Sequence, residues 1–237
     1  MPDAATIVTL DGPAGTGKSS VARAVAAELG FDFLDTGAMY RAIGLECVRR
    51  NADLEDSREV AFVARHCHID FDWTKDPPGV LLNGESVGHL LRGGDATRAA
   101  SYVATVPAIR ERLVDQQRQI GREHAARRGL VTEGRDQGSV VFPDASVKIF
   151  LTADPAERAR RRVAQLRGRG EQVDEGEILR EMIDRDRRDS GRKIAPLVRP
   201  DDATEVDTTL LAQNEVVEQI VSLARERLGE GSAKAAG

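Results

Sequence analysis

The chain has 237 residues, a formal net charge of −5, and hydrophobic and charged fractions of 41% and 31%, the profile of an ordinary globular chain with room for a substantial core. The acidic balance argues against a surface built to coat nucleic acid or an anionic membrane, and no apolar run approaches the ~18 residues of a bilayer span. The N-terminus lacks the basic and hydrophobic regions of a secretory signal, and Cys47 with Cys67 makes no disulfide framework, so a cytoplasmic compartment is expected.

Ile7 to Leu10 is a short β-branched and apolar run suited to a buried strand. Directly after it, Gly12-Pro13-Ala14-Gly15-Thr16-Gly17-Lys18-Ser19 fills every fixed position of the G-x-x-x-x-G-K-[ST] phosphate-binding pattern. From Lys18 to Leu29, residues Val21, Ala22, Val25, Ala26 and Leu29 share one helical stripe, and Gly30 is the expected C-cap. Strand, glycine loop and helix form the context in which backbone N–H groups turn inward around phosphate oxygens at a helix N-terminus. The expected nucleotide contacts run from Gly12 to Ser20, with Lys18 reaching the β- and γ-phosphates and Ser19 ligating Mg²⁺.

A second strand-like run, Phe31 to Leu34, leads into Asp35-Thr36-Gly37-Ala38-Met39-Tyr40-Arg41. Ligands of open parallel sheets collect beyond the carboxyl ends of the strands, so Asp35 is a candidate for holding Mg²⁺ waters or the acceptor, and Arg41 for pairing with an acceptor phosphate. The competing account is a turn in which Asp35 caps the next helix and Arg41 is solvated. Between Ile69 and Val87 the sequence alternates as strands do, with Asp76-Pro77-Pro78-Gly79 and Asn83-Gly84 as turn signals, and a small antiparallel insert is expected there. His66-Cys67-His68 lacks a second ligand cluster at zinc-type spacing and reads as ordinary packing.

The third strand-like run, Leu130 to Thr132, precedes Glu133-Gly134-Arg135-Asp136-Gln137-Gly138, an acid–base pair between glycines at another strand end. A plain loop ion pair is the alternative there. Val147 to Leu151 is the fourth such run. Of 34 basic residues five are lysines (Lys18, Lys75, Lys148, Lys193 and Lys234), leaving 29 arginines, and many of these crowd between Arg158 and Arg192. If both flanks of that tract are helical, Arg158 and Arg162 share a face, as do Arg185 and Asp189, while Arg188 and Arg192 share another. Gly168, Gly170 and Gly176 offer pivots, so the tract reads as a phosphate-closing lid, against a solvated helical hairpin laced by ion pairs. Glu205 to Thr208 is the last strand-like run. A final helix is expected from an Asn214 cap to Leu228, its packed face made by Val217, Ile220, Val221, Ala224 and Leu228, followed by a frayed tail over 229–237.

Strands alternating with helices give an α/β fold: a P-loop NTPase-type parallel sheet flanked by helices, with a small antiparallel insert and an arginine-rich helical lid. The expected division is a core of 1–62, 104–154 and 196–228, an insert at about 63–103 and a lid at about 155–195.

The start Asp11-Gly12-Pro13, the Asp35 to Arg41 segment, Gly134 to Ala145, Lys148-Ile149-Phe150-Leu151 and Arg185-Asp186-Arg187-Arg188-Asp189 together resemble bacterial cytidylate kinases. The resemblance runs from about Ile7 to Thr209. It implies Mg²⁺-dependent transfer of the γ-phosphoryl of ATP to CMP or dCMP, with the insert as nucleoside-monophosphate-binding part; a self-contained core with a moving lid favours a monomer. The resemblance further implies cytosine-side contacts from Thr36, Ser101, Arg110, Asp136 and Arg192, acceptor-phosphate contacts from Arg41 and Arg135, and sugar contacts from Arg185 and Asp189. Asp35 and Tyr40 complete the expected acceptor set, and Lys18, Arg135, Arg158, Arg162 and Arg185 form the catalytic set. Thr36 stands where the family carries serine, which keeps the hydroxyl and adds a methyl. Phosphoryl transfer needs positioning and charge stabilisation more than covalent catalysis. The readings left open are another small-acceptor kinase, for UMP, dTMP or a shikimate-like metabolite, and a nucleotide-dependent switch.

Overall fold

The chain from Val8 to Asp11 is buried at every residue, as a central strand covered on both faces must be. This strand, β1 (Ile7–Asp11), runs parallel to β6 (Leu130–Glu133) on one side and β7 (Val147–Thr152) on the other, with Val8 level with Val131 and Val147. The strand β8 (Thr204–Asp207) pairs in parallel beyond β7. With β2 (Asp32–Asp35) the order is β2-β6-β1-β7-β8, and the Asp32 N–H donates to the Gly129 carbonyl at 3.0 Å. The computed structural model describes residues 6–192 and 194–234. Its contacts divide the chain into a first unit, up to Asp32 and from Glu123 onward, and a second unit, Phe33–Arg122.

In the first unit the helix α1 (Lys18–Leu29) packs against β1 and β6, burying Val21, Ala22, Val25 and Ala26. Gly30 ends it in the left-handed region, φ 70°, its N–H reaching the Ala26 and Ala27 carbonyls. The arginine tract is a pair of packed helices, α6 (Pro155–Arg167) and α7 (Glu175–Ser190), capped by the carboxylates of Asp154 and Asp174. Helix α8 (Gln213–Lys234) lies against α1 and buries Val216, Val217, Ile220, Val221 and Ala224.

The structure departs from four expectations of the sequence. Asn214 is inside α8, and the carboxylate of Glu215 reaches back to the Ala212 N–H at 2.7 Å in its place. The helix passes Gly229 and Gly231 and continues to Lys234, since each glycine costs a helix only about 1 kcal/mol; residues 235–237 of the expected tail lie outside the described residues. Gly176 sits in the first turn of α7, not at a pivot, whereas Gly170 has the left-handed φ of 82° a sharp reversal needs. Arg192 lies beyond the end of α7, so it shares no helical face with Arg188.

The second unit is built on α2 (Thr36–Arg49) and α4 (Gly94–Val103), accompanied by α3 (Ser57–Arg65) and most of α5 (Pro107–Ala125). A Cβ on Gly44 of α2 would stand 3.0 Å from both the Ala100 nitrogen and the Ala99 Cβ of α4, so the two helices meet through their backbones. Three antiparallel strands, β3 (Ile69–Asp72), β4 (Gly79–Leu82) and β5 (Glu85–Ser86), form the insert's sheet. Asn83 and Gly84, at φ 50° and 83°, make the tight turn between β4 and β5. His66 caps α3, His68 donates its N–H to the Asn83 side chain, and Cys67 is buried between them. No described helix is long and apolar enough to cross a membrane.

Candidate active site

The loop between β1 and α1 takes its shape from three glycines with positive φ: Gly12 at 146°, Gly15 at 80° and Gly17 at 88°. Gly12 is forced by space as well as by angle, because a Cβ there would stand 2.1 Å from the Leu151 carbonyl oxygen. Gly17 is the N-cap of α1 and carries no side chain to satisfy the first amides of the helix, which leaves them for a ligand.

Charge is buried around this loop. Lys18 is 5% exposed, and its Nζ donates to the Pro13 carbonyl at 2.5 Å and to Thr16 Oγ1 at 3.4 Å. Burial, helped by the nearby Arg135 and Arg185 guanidiniums and opposed by Glu133, pushes its pKa down to about 7. Ser19 Oγ donates to Glu133 Oε1 at 2.6 Å, placing a hydroxyl and a buried carboxylate side by side. Asp11 accepts the N–H groups of Gln137 and Gly138 at 2.9 and 2.7 Å, and these residues begin a short π-helical stretch, Gln137–Val141. Burial pushes Asp11 up to about 6 despite those two bonds.

The helix pair α6–α7 brings further charge to this unit. Arg158, 5% exposed, donates from Nη1 to the Ala14 carbonyl at 3.0 Å and pairs with Asp186. Asp189, 1% exposed, takes Arg135 Nε on one oxygen at 2.8 Å and Arg192 Nη2 on the other. Burial alone would raise the Asp189 carboxyl, but the guanidiniums of Arg135, Arg192 and Arg185 outweigh it and hold it below the ordinary carboxylate range. Arg162 donates to Gln165 on its own helix at 2.6 Å, a different use from that of Arg158 four residues earlier. Asp136 is buried just before the π-helical stretch, and Ser20 is exposed in the first turn of α1.

The second unit gathers the other expected residues by itself. Asp35 is the N-cap of α2, accepting the Ala38 N–H at 2.9 Å, and the same carboxylate takes Arg41 Nη2 at 2.6 Å. The capping account of Asp35 therefore holds, while Arg41 is paired with Asp35 and not merely solvated. A Cβ at Gly37 would stand 2.9 Å from Arg41 Nη1, so glycine leaves room for that pair. Thr36 and Ser101 are each 2% exposed, and Ser101 Oγ donates to the Arg98 carbonyl at 3.0 Å. The Arg110 guanidinium, 3% exposed, lies 5.7 Å from the ring centre of Tyr40.

A positioned phosphate loop with a buried lysine, and buried arginines around it, is the equipment of a phosphotransferase, but it does not choose the acceptor. The family model described as Cytidylate kinase matches residues 8–226. The chain belongs to the cytidylate kinase family.

A cytidylate kinase from Caldanaerobacter subterraneus subsp. tengcongensis is 45% identical over 92% of this chain and 94% of that protein. One from Shewanella loihica is 41% identical over 96% and 98%. A bifunctional pantoate ligase/cytidylate kinase from a Synechococcus species is 44% identical over 94% of this chain but only 41% of its own length. Among solved structures, an uncharacterized protein from Eubacterium ventriosum superposes with a TM-score of 0.51 at 15% identity over 94% of this chain and 99% of that one, a likeness of fold alone.

Within this family frame, sequence reasoning passed over Glu133, Asp11 and Asp186 as site residues. Glu133 lies in the Glu133 to Gly138 cluster, and its position at the end of a strand adjoining β1 is the signal that singles it out. Asp11 and Asp186 make their contacts to residues 126 and 172 positions away, which no local pattern reveals.

Proposed function

We propose that this chain transfers the γ-phosphoryl of ATP to CMP or dCMP, releasing ADP with CDP or dCDP. The observation that carries the reading is the family match over 8–226 on a chain whose loop Gly12–Ser19 is held open by three left-handed glycines above a buried lysine. In the first unit, the amides of the loop and Lys18 hold the donor phosphates, and Arg135, Arg158, Arg162 and Arg185 balance the charge that spreads over the transferred group. In the second unit, Thr36, Tyr40, Ser101 and Arg110 serve the acceptor base, and Arg41, with Asp35 orienting it, serves the acceptor phosphate. Asp136 and Arg192 also serve the base side, and Arg185 with Asp189 the sugar hydroxyls.

The attacking oxygen of a nucleoside monophosphate is already anionic, so the reaction needs no strong base. Mg²⁺ fits the Ser19 hydroxyl beside the Glu133 carboxylate, a pair of hard oxygen donors; when bound, it neutralises charge on the donor phosphates. Residues 155–195 act as a lid that excludes water and so limits wasteful hydrolysis, and 63–103 act as the acceptor-side insert. The enzyme works as a cytoplasmic monomer, in keeping with two buried free thiols.

The test is ADP formation against a panel of CMP, dCMP, UMP, AMP, dTMP and shikimate. CMP and dCMP should give the highest kcat/KM; a preference for another acceptor, or ATP hydrolysis independent of any acceptor, would displace this reading.

A further inference from the structure

One peptide of the phosphate loop is already engaged by a carboxylate. Asp186 Oδ1 accepts the Ala14 N–H at 3.3 Å, and Asp186 Oδ2 pairs with Arg158 Nη1, which itself donates to the Ala14 carbonyl at 3.0 Å. Ala14 lies in the variable stretch of the loop whose amides turn toward phosphate oxygens. An ionised carboxylate accepts hydrogen bonds and donates none, so of all side chains it stands nearest to a phosphate oxygen. Met182, one turn before Asp186 on α7, seats the helix on the same loop: a Cβ at Gly15 would lie 2.5 Å from Met182 Cε and 3.1 Å from Arg158 Cβ. The side chains of Arg158 and Asp186 are 7% and 19% exposed, so the contact is sheltered from water, unlike the exposed pair of Arg187 with Asp184 on the same helix.

We propose that Asp186 is a built-in anion that competes with the donor triphosphate for the phosphate loop and holds Arg158 until nucleotide takes its place. The inference rests on the ATP-dependent reading above and adds a step to it. A triphosphate that claims the Ala14 amide releases Asp186, and Arg158, freed of its partner, can turn to the incoming negative charge. Donor binding and arginine delivery thereby become one event. A latch closed nine-tenths of the time raises the apparent dissociation constant ~tenfold, so Asp186 sets ATP affinity without touching the acceptor.

A simple structural tie between α7 and the loop predicts the opposite sign: removing it would loosen the loop and weaken ATP. The experiment is calorimetric titration of the full chain with MgATP, acceptor omitted, for the unaltered protein, Asp186→Asn and Asp184→Asn. The expected result is a Kd ~3–10-fold lower for Asp186→Asn, with a larger rise in melting temperature at saturating MgATP, and less than a ~twofold change for Asp184→Asn, which removes the same charge from an exposed site. Equal or weaker binding by Asp186→Asn overturns the proposal, as does an equal gain in Asp184→Asn, which would make the effect one of net charge. If the unaltered chain binds no MgATP, the functional reading itself falls. Should Asp186→Asn not fold, Asp186→Ser carries the same comparison. Hydrogen exchange of the unaltered chain adds a check: the Ala14 amide is protected before nucleotide is added, and rapid exchange there overturns the latch.

Discussion

The two units treat charge in opposite ways. Around the phosphate loop the first unit buries Asp11, Lys18, Glu133, Asp136, Arg158 and Asp189, whereas Arg110 is the one buried charge in the second unit among the described residues. The second unit instead joins α2 to α4 through Gly44, Ala96, Ala99 and Ala100 and leaves ion pairs such as Arg49–Glu85 at its surface. A buried charge is costly unless paired, so the first unit holds its charges through partners such as Asp189 for Arg135 and Asp186 for Arg158. The second gains its stability from close packing. Substitutions in the two regions should therefore separate activity from stability.

The largest separation is expected at Lys18. Replacing it by alanine should lower kcat by about 10³ or more, while the melting temperature stays level or rises because a buried cation is removed. Steady-state rates and a thermal melt on one preparation check both halves; near-normal turnover would take Lys18 out of the mechanism.

Asp189→Asn comes next. It strips the negative partner from Arg135 and Arg192, in a cluster where Asp189 and Arg192 are almost fully buried, and breaking such a cluster costs ~3–5 kcal/mol. Denaturant unfolding reads that loss. Because Asp189 also serves the sugar in the proposed reaction, kcat/KM should fall further for CMP than for dCMP, and equal losses would remove the sugar role.

Asp11 gives the pH dependence. Its native pKa of about 6 lies above the ordinary 3.8, so between those values the folded chain holds a proton that the unfolded chain has released. Stability from this group is therefore present at the acid end and lost as pH rises through the window. Relative to Asp11→Asn, the unaltered protein should lose ~3 kcal/mol between about pH 4 and pH 6. Lys18 acts in a separate window: its pKa is lowered to about 7, so its contribution rises with pH above that value. Parallel unfolding curves for the two proteins would show that Asp11 is not strained by burial.

Gly44→Val probes the second unit. The added side chain meets α4 backbone at 3.0 Å, and such overpacking costs ~1–3 kcal/mol. Unfolding should shift by that amount while kcat on folded enzyme holds; a loss of kcat without a loss of stability would mean that α2 and α4 are tuned for chemistry.

How far these features were legible in the sequence follows the range of the interactions. The strand, loop and helix of Ile7 to Leu29 were readable because glycine angles and helical periodicity are local, and Asn83-Gly84 declared its turn for the same reason. The end of α7 at Ser190 was signalled by Gly191, yet an extrapolated helical face carried Arg192 past it, when Arg192 instead folds back on Asp189. Ser19 with Glu133 and Ala14 with Asp186 join residues 114 and 172 positions apart. Only the crossover order of the sheet and the return of α7 bring these together. The sequence showed an arginine-rich helical tract and could not say which of its residues was the acid that touches the loop.

The smallest effect is expected where the geometry looks best. Arg49 donates two parallel hydrogen bonds to Glu85, at 2.8 and 2.9 Å, the fork-to-fork arrangement that favours arginine over lysine. Both side chains stand in solvent, at 35% and 53% exposure, where water and salt screen the attraction and ordering two long side chains offsets what remains. Arg49→Ala, Glu85→Ala and the double variant should all melt close to the unaltered chain at physiological salt, and the double-mutant cycle should yield no resolvable coupling. A coupling comparable to the loss in Gly44→Val would break the contrast between the units, because the second would then depend on its charges as the first does.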